Sequence, residues 1–572
     1  MVYIRRSFCI CSHTCLRRRL TCKERSAYYV AILKTVRPVH LEIQTHRARP
    51  VGVLRSSFRE GDKIKHTNHG RLTGLALDQL KLIQAAFRGE VVPKDSPQAF
   101  QTLDSREYGA SYALLQLAKD LELDRALYSR NEPWVQDCLA MIVGRVVYAG
   151  SKLALSNQWK NTALWELCGV AGPVDVEDHC YRPMDRLLER QRAIQRTLAS
   201  KHLKNGHLVL YDITSTYFEG AYVESEIVLF GYNRDGKKGH EQVVLGLLCN
   251  AEGCPVGVEV FAGNTQDAST VVAKIQELRR DYGLKEVTFV GDRGMVTQAN
   301  LEELNQIKGL HTISALTHRQ ILELVERKVV QAELFDEKRI AEVIDPQKPK
   351  QRYCLCRNPQ TGARETATRQ RLLDRTREAL DKIVARKKKG STEKLSAQVG
   401  KILARYKMGK FVEWKITTGR LQWDFKKAQI EQEQLFDGCY IISTTVPKKA
   451  MNQIQVVRTY KSLSVVEQAF RNLKTVSLEI RPVYHKKDDR IRSHVFLCVL
   501  AFYLQWHMQQ RLQPLFEADG EGKNRQWTVE SVIARLMSIR KERVKVAEVE
   551  FDQVSQADPE QQKILDLLKV KL

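Results

Sequence analysis

No stretch of this 572-residue sequence is apolar for the roughly 18 residues that a helix needs to span a bilayer. The longest apolar run, Val495 to Leu504, reads instead as part of a buried helix. The arginine-rich N-terminus lacks the continuous apolar core of a signal peptide. No long basic amphipathic anchor stands out either, so the expectation is a cytoplasmic protein with no membrane partner. Paired CxxC motifs are also missing. The 13 cysteines are odd in number and scattered, as small hydrophobes in a reducing compartment would be. Cys9, Cys11, Cys15 and Cys22 cluster near His13, but their spacings differ from the usual zinc knuckles, and Cys354-x-Cys356 is a weaker candidate still. Acidic residues are in short supply. With 67 Asp+Glu against 92 Lys+Arg the formal charge is +25, an excess that attracts polyanions and makes nucleic acid the favoured partner.

What is present is an ordinary globular composition, 43% hydrophobic and 28% charged, with length for two to four domains. Residues 1–60 carry 13 Lys+Arg and 3 Asp+Glu, and the first fifty or so show no clear period. Residues 1–52 are therefore read as a basic arm, disordered or lying outside the true start. From Val53 to Thr67, short apolar and basic residues alternate around Arg59-Glu60-Gly61-Asp62, a hairpin turn signal. Apolar spacing of three and four predicts helices at 75–87, 108–121, 133–149, 160–169 and 179–202, a basic and largely helical block.

The pattern changes at His207. His207 to Phe218, Gln242 to Cys249 and Val256 to Phe261 read as strands, with Glu252-Gly253 in the turn between the second and third. A helix at about 268–282, a strand at Val287 to Gly291 and a helix at about 297–307 follow. This is an α/β pattern, a mixed sheet covered by helices. From 310 to 445, strand-like pieces (352–357, 411–418, 439–445) flank a helical insert. Residues 363–410 hold 15 Lys+Arg and 5 Asp+Glu, which is either a solvated face or a phosphate-contacting arm. Helices return at 461–474, 489–509 and 527–539. No internal repeat is found.

Three carboxylates attract attention. Asp212 interrupts the apolar run Leu208 to Ile213, and alternation sets it on one face with Leu210 and Thr214. A buried carboxylate is costly unless something compensates it. Either Asp212 projects into a cleft, or it is satisfied by the hydroxyls of Thr214, Ser215 and Thr216. Asp292 follows the strand 287–291, where catalytic groups concentrate in open α/β sheets; the alternative is a turn aspartate in Gly-Asp-Arg-Gly. Glu467 shares a helix face with Arg471 and Lys474, and the plain alternative is a capping box with Ser464 plus a surface ion pair. Three carboxylates in one cleft would suit phosphodiester chemistry, because Mg²⁺ takes oxygen ligands and two such ions can serve the attacking and leaving oxygens. Arg471 and Lys474 would then hold the DNA backbone.

The order strand-Asp, strand-Asp, long insert, helix-Glu resembles the DDE transposases of bacterial insertion sequences. More narrowly, Tyr460, Glu467 and Lys474 match the Y-x2-R-x3-E-x6-K motif of the IS-four superfamily, with Leu463 where Arg is usual. Tyr211 to Gly220, Gly263-Asn264-Thr265 and Val290 to Met295 resemble the branch with longer N-terminal regions, and the resemblance covers about 51–545. It implies an RNase H-like mixed-sheet core in two parts, 206–309 and 446–572, split by an insertion domain at 310–445. A mainly helical DNA-binding domain at 53–205 would precede it. It further implies that Asp212, Asp292 and Glu467 are catalytic and bind two Mg²⁺ ions, Mn²⁺ substituting, and that Tyr460 and Lys474 contact DNA near the cleaved end. The expected partners are the inverted-repeat ends and target DNA, with a homodimer in the complex. Two readings compete: an RNase H-like nuclease without strand transfer, and a non-catalytic DNA-binding relic.

Overall fold

The computed structural model describes residues 39–45, 49–60, 63–88, 100–204, 208–232, 237, 239–293, 295, 304, 307–386, 390–476, 478, 480–481, 483–520, 525–546 and 549–572. The chain divides into two compact units, one of 1–106 with 540–555 and one of 107–539 with 556–572. The N-terminal cysteine cluster and most of the predicted helix at 297–307 lie outside the described residues.

In the first unit, Val39–Gln44, Val51–Glu60 and Lys63–Leu72 form an antiparallel three-stranded sheet. The second and third strands flank residues 61–62, where the hairpin turn is expected. The first is a finding: the sequence around it shows no sustained period, yet the short alternation Val39-His40-Leu41-Glu42-Ile43 is enough to bury Leu41 opposite Leu54. The helix Leu77–Phe87 supplies Leu80, fully buried. Gly52 lets that helix approach, since a Cβ there would stand 2.8 Å from Leu80 Cδ2. A second sheet pairs Phe100–Glu107, Arg540–Val546 and Val549–Val554.

The second unit is built on an eight-stranded mixed sheet. Its order is Ala341–Ile344, Arg352–Arg357, Cys439–Thr444, Leu310–Ala315, Val287–Gly291, Leu208–Tyr217, Gln242–Asn250 and Pro255–Ala262. Leu208–Tyr217 runs antiparallel to Gln242–Asn250 and parallel to Val287–Gly291, which is parallel to Leu310–Ala315. Pro255–Ala262 pairs antiparallel with Gln242–Asn250 at one edge, and Cys439–Thr444, Arg352–Arg357 and Ala341–Ile344 join antiparallel beyond Leu310–Ala315 at the other. A mixed sheet flanked by helices is consistent with an RNase H-like fold. The 310–445 segment thus lends four strands to the central sheet. Its helices Pro359–Val384 and Thr392–Tyr406 pack with the hairpin Val412–Thr417 and Arg420–Phe425 around their own small core of Leu380, Leu395, Val399 and Leu421.

Alternation gives the sheet two apolar faces. Leu210, Leu247, Cys249, Val290 and Ile313 join a large core with the helices Gly109–Asp120, Pro133–Tyr148, Arg182–His202 and Asp488–Arg511. Tyr211, Ile213, Val244 and Phe289 point to a second cluster on the other side. Val495 to Leu504, the apolar run of the sequence, is buried along its length. Among the described residues no single helix is long and apolar enough to cross a membrane. Cys354 and Cys356 are buried within the strand Arg352–Arg357, where they pack as small hydrophobes.

One buried acid lacks compensation. Asp137, on Pro133–Tyr148, is 6% exposed and its Oδ1 has no hydrogen-bond partner among the described residues. Burial pushes its carboxyl up to about 6, with His179 opposing weakly. A raised acid holds its proton in the folded chain, so its contribution is best below about pH 4 and worsens as pH rises to about 6. Asp137→Asn is therefore expected to add on the order of 1–2 kcal/mol at pH 7 and to flatten stability between pH 4 and 6, read by urea unfolding. Equal stability at pH 7 would contradict this.

Candidate active site

The parallel register pairs Tyr211 with Gly291. Asp212 and Asp292 each follow by one residue, so they leave adjacent strands at the same level, about 5 Å apart by ordinary strand spacing. Both belong to one face: Asp212 alternates with Leu210 and Thr214, and Asp292 with Val290, whose side chain lies in the same core as Leu210. Asp212 is half-buried and its Oδ1 accepts a 2.8 Å hydrogen bond from the Ile213 amide. Asp292 is exposed and begins a turn in which the Met295 amide donates to its carbonyl at 3.2 Å. Turn and functional readings of Asp292 are thus compatible, since the carboxylate itself is engaged elsewhere.

The helix Leu463–Arg471 packs against Leu208–Tyr217 on this same face. Leu463, Val466, Ala469 and Phe470 form its buried stripe, and Glu467 is exposed. A capping box at Ser464 does not form: the helix starts at Leu463, so Ser464 is already inside it, and the Ser462 hydroxyl at the N-cap caps nothing, donating instead to the Thr459 carbonyl at 2.6 Å. Leu463 is 6% exposed within the large core, which gives a packing reason for a leucine where arginine was expected. The arginine would face burial without a counter-charge there.

Tyr460 links the carboxylates. It lies near the end of Gln453–Lys461, a helix capped by Asn452, and its hydroxyl donates to Asp292 Oδ1 at 3.1 Å. Burial raises its pKa first. The charge and hydrogen bond of Asp292 raise it further, Arg293 opposes, and the charge of Glu467 adds to the rise. One phenol therefore feels both Asp292 and Glu467, although 175 residues separate them in sequence. Lys474 follows in the π-turn Asn472–Val476 and is 9% exposed. Its Nζ donates to Thr214 Oγ1 at 2.5 Å, two residues along the strand from Asp212 and on its face. The ammonium thus sits inside the site beside the carboxylate strand. Arg471 is exposed.

Sequence reasoning missed Arg293, and it read Thr214 as a hydroxyl for Asp212 rather than as the partner of Lys474. Arg293 borders a groove of about 550 Å³ together with His318, Tyr440, Tyr460 and Lys461. Its signal was the Asp-Arg dipeptide at the strand end, read only as part of a turn.

Asp212, Asp292 and Glu467 offer oxygen donors alone, the chemistry that Mg²⁺ or Mn²⁺ prefers. Among the described residues, however, the one group of three His, Cys, Asp or Glu whose ligand atoms all lie within 4.8 Å is His202, Cys254 and His507. Nitrogen and sulfur donors do not suit Mg²⁺.

The position of the Glu467 helix is set partly by Gly253. This residue has φ +87°, and a Cβ on it would stand 2.1 Å from Val465 Cγ1. Gly253→Ala is expected to cost more than about 1 kcal/mol in urea unfolding, and Val465→Ala in the same chain should recover part of it. A Gly253→Ala chain as stable as the parent would show that the helix does not rest on this turn.

The sequence model of the family described as "Transposase DDE domain" matches residues 215–504. The match contains Asp292 and Glu467 and begins three residues after Asp212. No curated protein matches the chain.

Proposed function

Because the chain belongs to the DDE transposase family, we propose that it cuts DNA at the ends of a mobile element and joins the freed ends to target DNA. The family assignment carries a nuclease- or transposase-type catalytic domain; strand transfer and the assignment of Asp212, Asp292 and Glu467 as the catalytic carboxylates are the finer reading. The observation that carries it is the common face of Asp212 and Asp292, covered by the helix of Glu467 and bridged by Tyr460. The spacing of Tyr460, Glu467 and Lys474 supports membership of the IS-four superfamily within the family.

Asp212, Asp292 and Glu467 would hold the divalent ions, Mg²⁺ with Mn²⁺ as substitute. Bound there, such ions activate the attacking oxygen and stabilise the leaving one in an in-line phosphoryl displacement. The remaining residues position. Tyr460 fixes the rotamer of Asp292 by its hydrogen bond. Lys474 anchors to Thr214 and brings a positive charge to the carboxylate face. Arg471 and Arg293, both exposed, would contact phosphates of the DNA backbone. Water attacks the scissile phosphate, the bond to the 3′-oxygen breaks, and the 3′-hydroxyl takes the proton. That hydroxyl then attacks a target phosphate, and as the new P–O bond forms the target's bond to its own 3′-oxygen breaks and that oxygen takes the proton. Joining two ends in one event favours a homodimer on DNA, and the basic stretches within 53–205 and 363–410 supply end binding.

Asp292→Ala and Glu467→Gln are each expected to lower end cleavage in Mg²⁺ by at least about a thousandfold, with end binding within a few-fold of the parent chain. Cleavage at parental rates in either would overturn the assignment. Supplying precut ends with a plasmid target separates transposase from simple nuclease, since only the former gives joined product. With a formal charge of +25, binding to DNA should weaken steeply with salt, by roughly 10³-fold or more between 50 and 200 mM. Salt-insensitive binding would contradict the electrostatic part of the reading.

A further inference from the structure

A second donor set lies away from the carboxylates. His202 ends the helix Arg182–His202, Cys254 closes the turn after Gln242–Asn250, and His507 sits on Asp488–Arg511. Cys254 is buried and the two histidines are half-buried, so the cluster is shielded yet reachable from solvent. Ligand atoms of all three lie within 4.8 Å of one another, and Cys254 Sγ is 3.9 Å from His507 Nε2. Tetrahedral zinc, with Zn–S about 2.3 Å and Zn–N about 2.0 Å, sets sulfur and nitrogen about 3.5 Å apart. For the Cys254–His507 pair, a closure of a few tenths of an ångström meets that geometry.

We propose that His202, Cys254 and His507 bind one zinc ion, with water at the fourth position. Softness selects the metal, because one thiolate and two imidazoles favour zinc over the hard ions that the carboxylates would take. The surroundings resemble those of a working ligand set. The Tyr503 hydroxyl lies 2.9 Å from His202 Nε2, a contact that fixes the ring's orientation. Binding releases the Cys254 thiol proton as the sulfur–zinc bond forms.

Such an ion would tie two long helices to the turn 250–254. That turn abuts Val465, next but one to Glu467, through the close approach at Gly253. The site is therefore structural: it holds the surface against which the helix Leu463–Arg471 rests.

The test uses the full chain stripped by chelator and titrated with Co²⁺, whose thiolate bond gives a near-ultraviolet charge-transfer band. One equivalent of Co²⁺ with that band, displaced by Zn²⁺, is expected. Cys254→Ser should lose the band, and His507→Gln should lose the tetrahedral visible bands; the second variant decides if the first does not fold. Excess Mg²⁺ and Asp292→Asn should leave the signal unchanged, which separates this site from the carboxylates. Chelation should lower the melting temperature of the parent by several degrees and leave both variants unmoved. No cobalt uptake, or a band that persists in Cys254→Ser and so belongs to other cysteines, would overturn the proposal. So would loss of the band in Asp292→Asn.

Discussion

Parallel pairing of Leu208–Tyr217 with Val287–Gly291 is the constraint on which the site depends. The register Tyr211 to Gly291 fixes two acidic residues at one level, and the two-residue period of the strands sends both to one face. A slip of one residue in either strand would turn a carboxylate into the opposite core, among Tyr211, Ile213 and Phe289. That core opposes any slip, since a charge buried there without a partner is far more costly than a strand hydrogen bond. The apolar packing behind the sheet thus protects the geometry of the polar side in front. Lys474 contributes from the other direction by bringing a positive group to Thr214 on the carboxylate face.

Much of this core was legible because its signals are local. The strand at 208–217 was read from 207–218, the strand 287–291 was read to the residue, and the buried helix was marked by its apolar run. Asp212 and Asp292 could be assigned to a common face from alternation once their strands were known. Contacts between distant segments were not legible. Nothing in the spacing of Tyr460 says that it reaches Asp292, and Lys474, read as a DNA contact, turns out to be buried against Thr214. Leu463 looked like a missing arginine and is a core residue, at the start of the buried stripe that Val466, Ala469 and Phe470 continue. The strand Val39–Gln44 was too short to register as a period, and its partner strand supplies what its own sequence lacks.

His202, Cys254 and His507 show the same limit more sharply. They share no motif, and 305 positions separate the first from the last, so only folding reveals them as neighbours. Two donor sets of opposite character then stand on one domain. The oxygen set faces the expected DNA chemistry, while the nitrogen and sulfur set grips the turn beneath the Glu467 helix. Metal chemistry keeps them distinct, since the hard and soft sets favour different ions.

The central claim is that Asp212, Asp292 and Glu467 converge on shared divalent ions. Anomalous diffraction from Mn²⁺-soaked crystals of the full chain tests it most directly. The expected map holds one or two peaks with carboxylate oxygens of all three residues within about 2.5 Å. Peaks bound by other residues, or a Glu467 turned away from the two aspartates in the metal-bound chain, would contradict it.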